Sequence, residues 1–269
     1  MRRTKRTIAV VAITLVSCSS RIVPATTPTF QTVTLRLHAT TATAPLMNDL
    51  AASYSQRFPF TFDIVTGNYA TLLDSLNRGE ISYFLSNHLP ADSPLWAAPV
   101  GQDGIAILVH PSNSLMELTT EQLRNIYQGY IPNWRELGGV DMNIVVMSRE
   151  DGSGTRAEFE QLVMGDRRTT LAAQIAPSSG AVVTSVAAQA GGIGYVSMGY
   201  LDSRVRAVSI DSVPLNVDTV YQNTYPLRST LYFVGLEEPQ DEYRVFIGWV
   251  QSPEGQAVVA RHYAPLLRP

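Results

Sequence analysis

Strand-like and helix-like segments alternate along the chain from residue 33 to residue 262. Residues 33–39, VTLRLHA, alternate apolar and polar side chains as a strand does, and residues 44–58 carry apolar side chains at helical spacing. Further strands are predicted at 60–65, 81–86, 104–110, 143–148, 192–197, 205–210 and 227–235, and further helices at 71–78, 119–127, 155–164, 181–190, 240–250 and 253–262. Strands that alternate with helices predict an α/β fold with a largely parallel sheet.

The first 18 residues are typical of a secretory signal and are excluded from the fold. Four basic residues precede an uncharged apolar run at 8–16, which is shorter than the ~20 residues that a membrane-spanning helix needs. The cysteine of LVSC, Cys18, resembles the lipidated cysteine of bacterial lipoproteins; ordinary secretion with an incidental cysteine is the alternative. We expect residues 1–18 to be a lipoprotein signal peptide and residues 19–30, rich in Ser, Thr and Pro, to be a flexible tether.

Composition excludes several functional classes. Removal of residues 1–18 leaves 16 basic and 23 acidic residues, a formal charge near −7, which disfavours nucleic acid and anionic lipid as partners. Lys5 is the only lysine, so a Walker phosphate loop, which needs a lysine, is excluded. One cysteine allows neither an intrachain disulfide nor a cysteine-based metal cluster.

Neither a metal site nor a catalytic centre is indicated by the sequence. The four histidines lack metal-binding spacing; they are His38, His88, His110 and His262. The sequence DGSGT lacks the outer spacing of the G-x-S-x-G nucleophile motif, and no histidine is tied to it. We therefore expect a protein that is not an enzyme and holds no cofactor or metal; a phosphatase or peptidase is the weaker alternative.

The stretch MSREDGSGTRAEFEQ, which follows an apolar strand, suits an oxyanion. A helix beginning near Thr155 would offer free main-chain N–H groups and a partial positive charge. Ser153 and Thr155 add hydroxyl groups, and Arg149 adds a planar, charged fork of donors. The alternative is an ordinary surface helix capped by Ser153, with Arg149 paired to Glu150 or Asp151 in water.

The segment SREDGSGTRAEFEQLV resembles the R-x-x-x-S-G-T-x-x-x-F motif of the phosphate-binding proteins of bacterial ABC transporters. Other runs resemble the same family in the same order, and the resemblance covers most of residues 32–263. These runs are HATTATAPL, DGIAILVHPSN, LTTEQLRNIYQGYIPNWRELGG, SSGAVVTSVAAQAGGIGYVSMGYL, YPLRSTLYFV and SPEGQAVV. The resemblance implies a two-lobed periplasmic binding protein fold of type II. Each lobe would be a mixed, mostly parallel sheet flanked by helices, with the ligand cleft between the lobes.

The resemblance also implies where the lobes divide. The first lobe would comprise residues 31–105 and 227–269, and the second lobe residues 106–226. The hinge would lie where the strands GIAILVH and LRSTLYF cross. The lobes of such a protein close on the ligand by hinge motion.

The anion-binding positions implied by the resemblance match the family more closely in the second lobe than in the first. In the second lobe, the family motif is matched without gaps by Arg149, Ser153, Gly154 and Thr155. In the first lobe, Thr41 and Ala42 lie where the family has a Ser/Thr-rich turn, and Tyr69 lies where it has a glycine-rich turn. Losing several first-lobe donors would weaken binding.

The first-lobe run SYFLSN departs furthest from the family pattern. Ser86 is kept, but Asn87 replaces a charged residue. A carboxylate accepts the proton-bearing oxygen of phosphate and repels fully deprotonated sulfate, whereas an amide discriminates less. Asp63 or Glu80 could supply the missing carboxylate.

The resemblance implies a solute-binding protein, monomeric and extracytoplasmic, that touches the membrane only through its lipid anchor. It would capture inorganic phosphate or a related tetrahedral oxyanion and hand it to the permease of an ABC transporter. A signalling or adhesion module with the same fold and a weakened anion site is the alternative.

Overall fold

Strands and helices alternate along residues 33–267, the part of the chain that the computed structural model describes. The strands are β1 Val33–Thr40, β2 Phe60–Gly67, β3 Tyr83–Ser86, β4 Trp96–Val109, β5 Glu117–Leu118, β6 Val145–Arg149, β7 Gln174–Ala176, β8 Gly192–Ser197, β9 Arg206–Ala207, β10 Ser209–Ile210, β11 Arg228–Gly235 and β12 Ala264–Pro265. The helices are α1 Ala44–Ser55, α2 Tyr69–Asn77, α3 Thr120–Gln128, α4 Gly154–Phe159, α5 Ser179–Ala187, α6 Val217–Tyr221, α7 Asp241–Gln251 and α8 Pro253–Val259. Helix α4 continues as a π-helical turn, Glu160–Met164.

The predicted signal peptide, Cys18 and the predicted tether lie outside the described residues and stay predictions. The same holds for residues 31 and 32 at the start of the predicted first lobe. Within residues 33–267, no helix combines the length and the apolar character needed to cross a membrane.

The long strand β4 belongs to two groups of strands. The main sheet has the order β2-β1-β3-β11-β4-β8-β6-β7. Up to Gly104, β4 pairs with β11, and from Ile105 onward it pairs with β8. We call the group β2-β1-β3-β11 with its helices α1, α2, α7 and α8 the first lobe, and the group β8-β6-β7 with α3, α4 and α5 the second lobe.

The sheet is mixed, with parallel outer strands in both lobes. In the first lobe β1 is parallel to β2 and β3, and in the second β6 is parallel to β7 and β8. The strands that join the lobes differ, since β4 runs antiparallel to both β11 and β8. The largely parallel sheet expected from helix–strand alternation therefore holds for the outer strands only.

Strand β4 begins eight residues before the strand predicted at 104–110. Its first half contains Pro99 and Gly101, which normally interrupt a strand. In the structure these residues lie at a register shift, where Leu231 is opposite Gly101 and Tyr232 is opposite Pro99. A β-bulge of this kind accommodates both residue types without ending the strand.

Candidate functional site

Arg149 is the last residue of β6 and is buried at the junction of the two lobes. Its side chain is only 1% exposed. Nε donates to Oε2 of Glu150 and Nη2 donates to Oε1, both at 2.8 Å. Nη1 donates to Ser179 Oγ at 2.9 Å, and Nη2 donates to Thr41 Oγ1 at 3.0 Å. The guanidinium therefore bonds to residues of both lobes.

The contacts of Arg149 explain how a charge can be buried there. An unpaired buried charge is strongly destabilising, whereas a paired and hydrogen-bonded one is tolerated. The carboxylate of Glu150, 21% exposed, supplies the opposite charge in a two-pronged arrangement. Glu150 and Ser179 both belong to the second lobe, so they hold the guanidinium in place from one side of the junction.

Two helices, α1 and α5, begin at or just after residues that accept from this guanidinium, and α4 begins shortly after Arg149 in the chain. Thr41 lies just before α1, Ser179 is the first residue of α5, and Ser153 is the N-cap of α4. The first main-chain N–H groups of a helix lack acceptors within the helix, and they carry partial positive charge. The surroundings of Arg149 are thus rich in donors.

The turn between β6 and α4 places the SGT triplet. Gly152 has φ +79°, a left-handed conformation that glycine adopts without strain. Ser153 then caps the helix by accepting from Arg156 N at 3.3 Å. Ser153, Gly154 and Thr155 are all buried, as expected for a site that faces another part of the protein rather than water.

Tyr195 of β8 ties the end of β6 to α4. Its ring stacks on Phe159 at a centroid distance of 4.1 Å and an angle of 5°. Its hydroxyl contacts Ser148 Oγ at 2.9 Å and accepts from Arg149 N at 3.2 Å. Burial raises the pKa of Tyr195, which keeps the hydroxyl protonated. The main chain of Arg149 is thereby held relative to the helix that follows it.

The structure has features of both interpretations of the motif, the oxyanion site and the ordinary surface helix. Arg149 does pair with Glu150, as the surface-helix alternative has it, but Arg149 is buried and Glu150 is only 21% exposed, so the pair does not lie in open water. Asp151 is 95% exposed and pairs with Arg156 at 2.5 Å. Arg156 also donates to Arg149 O at 3.1 Å, so its side chain braces the turn from the outside.

The first-lobe residues Thr41 and Ala42 lie at this junction. Thr41 accepts from Arg149 through Oγ1, and its carbonyl oxygen accepts from the hydroxyl of Tyr200. Ala42 is 2% exposed. The next residue, Thr43, donates to Leu85 O at 2.8 Å, which fixes the start of α1 to the end of β3.

Ser86 is the last residue of β3 and Asn87 follows it; of these two, only Asn87 reaches across to the second lobe. Asn87 is fully buried and donates from Nδ2 to Thr155 Oγ1 at 3.2 Å. Its Oδ1 has no hydrogen-bond partner among the described residues. The hydroxyl of Ser86 donates instead to His88 O at 2.8 Å, so it stabilises the loop.

Tyr69 takes part in packing and also borders a cavity. Its ring lies 4.8 Å from His88 and 5.9 Å from Phe84, edge-on in both cases. It also borders a cavity of about 160 Å³ that Gly152 and Ser153 help to line. In the turn that lies where the family has a glycine-rich one, the side chain of Asn68 caps α2 by accepting from Thr71 N at 2.9 Å.

The lobes touch along the start of α4. A Cβ atom added at Gly154 would lie 2.9 Å from His88 Cβ and 3.1 Å from Asn87 Oδ1. Nearby, Ala70 N donates to Gly152 O at 3.1 Å. This is a closed junction in which only glycine fits at position 154.

Several residues of the site lack a recognisable signal in the sequence. Ser179 is a serine at a helix start, which is common in any protein, and Tyr200 lies in a short 3₁₀ turn.

His88, next to position 87, and the carboxylates considered for that position all pair with other residues. His88 pairs with Glu158 at 2.7 Å. Asp63 and Glu80, which were candidates to replace a charged residue at position 87, do not take that role. Asp63 pairs with Arg36 and Glu80 pairs with Arg78. Among residues 33–267, no group of three or more potential metal ligands is found.

Comparison with known proteins identifies relatives by sequence. The phosphate-binding protein PstS of Bacillus subtilis is 31% identical over 166 residues, which are 61% of this chain and 55% of the relative. PstS 2 of Streptococcus pneumoniae is 36% identical over 43% of either chain. The chain thus spans only about half the length of these curated relatives.

Solved structures match over nearly the whole fold. A Clostridium perfringens structure, described as a phosphate ABC transporter substrate-binding protein with bound phosphate, is 31% identical and has a TM-score of 0.82. The match covers 87% of this chain and 100% of that one. A phosphate transport receptor from Vibrio cholerae is 26% identical, with a TM-score of 0.69 over 86% and 99% of the two chains. The predicted two-lobed type II fold is confirmed by these matches. Since the family model of the PBP superfamily domain also matches residues 24–254, the chain belongs to the PBP superfamily.

Proposed function

We propose that this protein is an extracytoplasmic solute-binding protein that captures inorganic phosphate, or a related tetrahedral oxyanion, for an ABC transporter. The observation that carries the proposal is the buried guanidinium of Arg149, bonded to Thr41 of the first lobe and Ser179 of the second. A positive, planar donor group at the junction of two lobes is suited to an anion that both lobes enclose.

The second lobe supplies the main anion donors in this proposal. Arg149 provides the charge, Ser153 and Thr155 provide hydroxyl groups, and Gly154 lets the main chain approach closely. Hydrogen bonds to a charged group contribute ~1.5 to 3 kcal/mol each, and micromolar affinity corresponds to about 8 kcal/mol. Three to five such bonds are therefore enough, and the motif offers most of them.

The first lobe completes the shell. Thr41 and Ala42 lie just before α1 and Asn87 bonds to Thr155, and we propose that all three meet an anion held by Arg149. Ser86 and Tyr69 shape the loops around Asn87 and α2. The unpartnered Oδ1 of Asn87 is an acceptor suited to the hydrogen of a protonated phosphate oxygen.

The path of β4 supports the proposed division of the chain into lobes. The change of partner between Gly104 and Ile105 lies close to the boundary proposed between 31–105 and 106–226. Ile105 N donates to Leu227 O at 2.7 Å, where the second boundary, before 227–269, is proposed. We place the hinge at this crossing of β4 and β11.

The relatives support phosphate as the ligand and a permease as the partner. PstS of B. subtilis is named a phosphate-binding protein, and the C. perfringens structure holds bound phosphate. We propose a monomer, held outside the cytoplasm by a lipid on Cys18 and without enzymatic activity. Mass spectrometry of the native protein should show an acylated N-terminal Cys18; an intact N-terminus or cleavage elsewhere would refute the anchor.

Isothermal titration tests the ligand. Mature protein is titrated separately with phosphate, arsenate, sulfate and molybdate. We expect micromolar or tighter binding of phosphate and of arsenate, which has the same shape and proton content. An absence of heat with all four anions would overturn the proposal and favour a signalling or adhesion module.

A further inference from the structure

A contact between a histidine and a glutamate crosses the junction of the lobes beside the candidate site. Nδ1 of His88 lies 2.7 Å from Oε1 of Glu158. His88 follows β3 in the first lobe, and Glu158 lies in α4 of the second lobe. The two side chains are 13% and 14% exposed, so water screens this pair much less than an ordinary surface pair.

The His88–Glu158 contact adjoins residues of the proposed anion shell on both sides. Asn87 immediately precedes His88, and Thr155 lies three residues before Glu158, on the same side of α4. These two neighbours bond to each other at 3.2 Å. A change in the His88–Glu158 distance would therefore also change the distance between Asn87 and Thr155.

His88 is held in position independently of Glu158. Its main-chain N–H donates to Ser86 Oγ at 3.1 Å, and its carbonyl oxygen accepts from the same hydroxyl at 2.8 Å. Its ring packs edge-on against Tyr69, with centroids 4.8 Å apart. A side chain fixed in this way loses little conformational entropy when it forms the pair.

We propose that His88 and Glu158 are positioning residues that clasp the two lobes over the bound anion and thereby set its dissociation rate. The inference rests on the proposed function, because it assumes that an anion is held at Arg149. Loss of one partner of a largely buried hydrogen bond to a carboxylate acts mainly on the dissociation rate. The lobes of a protein without the pair would open more often, while the encounter with the anion would be unchanged.

Glu158→Gln separates this role from simple electrostatics. The carboxylate of Glu158 is negative and lies near the proposed anion shell, so removing its charge would by electrostatics alone bind an anion more tightly. The clasp requires the opposite result, which is faster release. Glutamine keeps the size of the side chain, so packing changes little.

The experiment measures Kd by isothermal titration with phosphate and the dissociation rate by chasing radiolabelled phosphate from the mature protein. For Glu158→Gln and His88→Gln we expect the dissociation rate to rise about tenfold or more and the association rate to change less than twofold. The double variant should release phosphate no faster than either single variant, because both lose the same contact. The reversed pair, His88→Glu with Glu158→His, should recover most of the slow release.

The matched control is Asp63→Asn, which breaks an ion pair to Arg36 within the first lobe. The side chains of Arg36 and Asp63 are 67% and 47% exposed. This variant should leave both rates unchanged. Thermal unfolding without ligand distinguishes a folding defect from faster release of phosphate. If a single variant does not fold, the reversed pair takes its place in the comparison. Unchanged or slower release from folded Glu158→Gln would overturn the clasp and leave the proposed function standing. Failure of the unmodified protein to bind phosphate would overturn both.

Discussion

At the scale of single residues, the candidate site depends on one buried guanidinium. Arg149 can be buried because Glu150 balances its charge and because hydroxyl groups of Thr41 and Ser179 accept two further hydrogen bonds from its guanidinium. An arginine held in this way is preorganised for an anion, since its planar donors already have one orientation.

Arg149→Lys should weaken phosphate binding by roughly 100-fold or more. Lysine keeps the charge but loses the fork, and two charge-assisted bonds contribute ~1.5 to 3 kcal/mol each. Isothermal titration with phosphate measures the effect, and Arg149→Ala should abolish binding. Arg78→Lys, at an exposed arginine paired with Asp74 and Glu80, is the control and should bind normally. Affinity within threefold of the unmodified protein would remove Arg149 from the site.

Asn87→Asp should raise the preference for phosphate over sulfate about tenfold or more. A carboxylate at this fully buried position would accept the hydrogen of a protonated phosphate oxygen and repel fully deprotonated sulfate. The ratio of the two dissociation constants is measured by titration. Asn77→Asp, an exposed position of α2, controls for added charge. An unchanged ratio would place Asn87 outside the anion shell.

The sequence predicts those site residues that lie close together in the chain. Arg149, Ser153 and Thr155 fall within seven residues, and local turn and helix geometry is enough to bring them together. The place of Asn87 against Thr155 depends on the packing of one lobe on the other. Ser179 carries no distinguishing signal, because a serine at a helix start is common in any protein.

At the scale of elements, the site is assembled from helix starts and loops that approach very closely. Helix α4 begins where the loop after β3 passes over it, and Gly154 is the contact point. A β-carbon there would lie 2.9 Å from His88 Cβ, closer than packed atoms normally come. Glycine at this position therefore determines whether the two lobes can close.

Gly154→Ala should lower phosphate affinity by tenfold or more, because the added methyl group would hold the lobes apart. Titration with phosphate and thermal unfolding are measured together. The control is Gly248→Ala in α7, where an added Cβ meets nothing within 4 Å. That control should bind normally and gain up to about 1 kcal/mol of stability, since alanine favours a helix. Normal binding by Gly154→Ala would show that the lobes need not close as tightly as in this structure.

Elements with a clear hydrophobic period could be predicted from the sequence, and others could not. The sequence predicts β1 because apolar and polar side chains alternate along 33–39, although the last four residues of the strand are all buried. It predicts α1 because Leu46, Leu50 and Tyr54 recur at helical spacing, and all three are buried, but the helix ends at Ser55 and not at residue 58. The first half of β4 is not predicted, because Pro99 and Gly101 normally interrupt a strand and here a bulge accommodates them. Strands of two or three residues, such as β5 and β7, are too short to show a period.

At the scale of the whole molecule, β4 and β11 join the lobes, and a buried carboxyl group lies at the join. Asp103 of β4 is fully buried, directly opposite Ser229 of β11. Burial raises its pKa from 3.8 to about 7, against the opposing effect of hydrogen bonds from Ser197 and from the N–H of Met198. Parallel outer strands follow from helix–strand alternation, but the direction of these joining strands depends on both lobes.

Asp103→Asn should change how stability depends on pH. Between pH 4 and 7 the native protein retains a proton on Asp103 that the unfolded chain has lost. The contribution of Asp103 to the free energy of unfolding therefore falls as pH rises through this window, by about 1.4 kcal/mol per unit at most, and is constant above it.

Urea unfolding at several pH values measures this contribution. The stability of Asp103→Asn relative to the unmodified protein should increase from pH 4 to pH 7 and then level off. Asp166→Asn, at an exposed position, is the control and should show no such trend. A stability difference that does not vary with pH would mean that Asp103 is ionised throughout this range.

A crystal structure of the mature protein with arsenate would show whether the anion lies at Arg149, because the anomalous scattering of arsenic locates the anion independently of the protein atoms. We expect one strong peak at the junction of the lobes, with arsenate oxygens within about 3.2 Å of the Arg149 guanidinium and of the Ser153–Thr155 segment. A peak elsewhere, or an empty junction at saturating arsenate, would contradict this expectation.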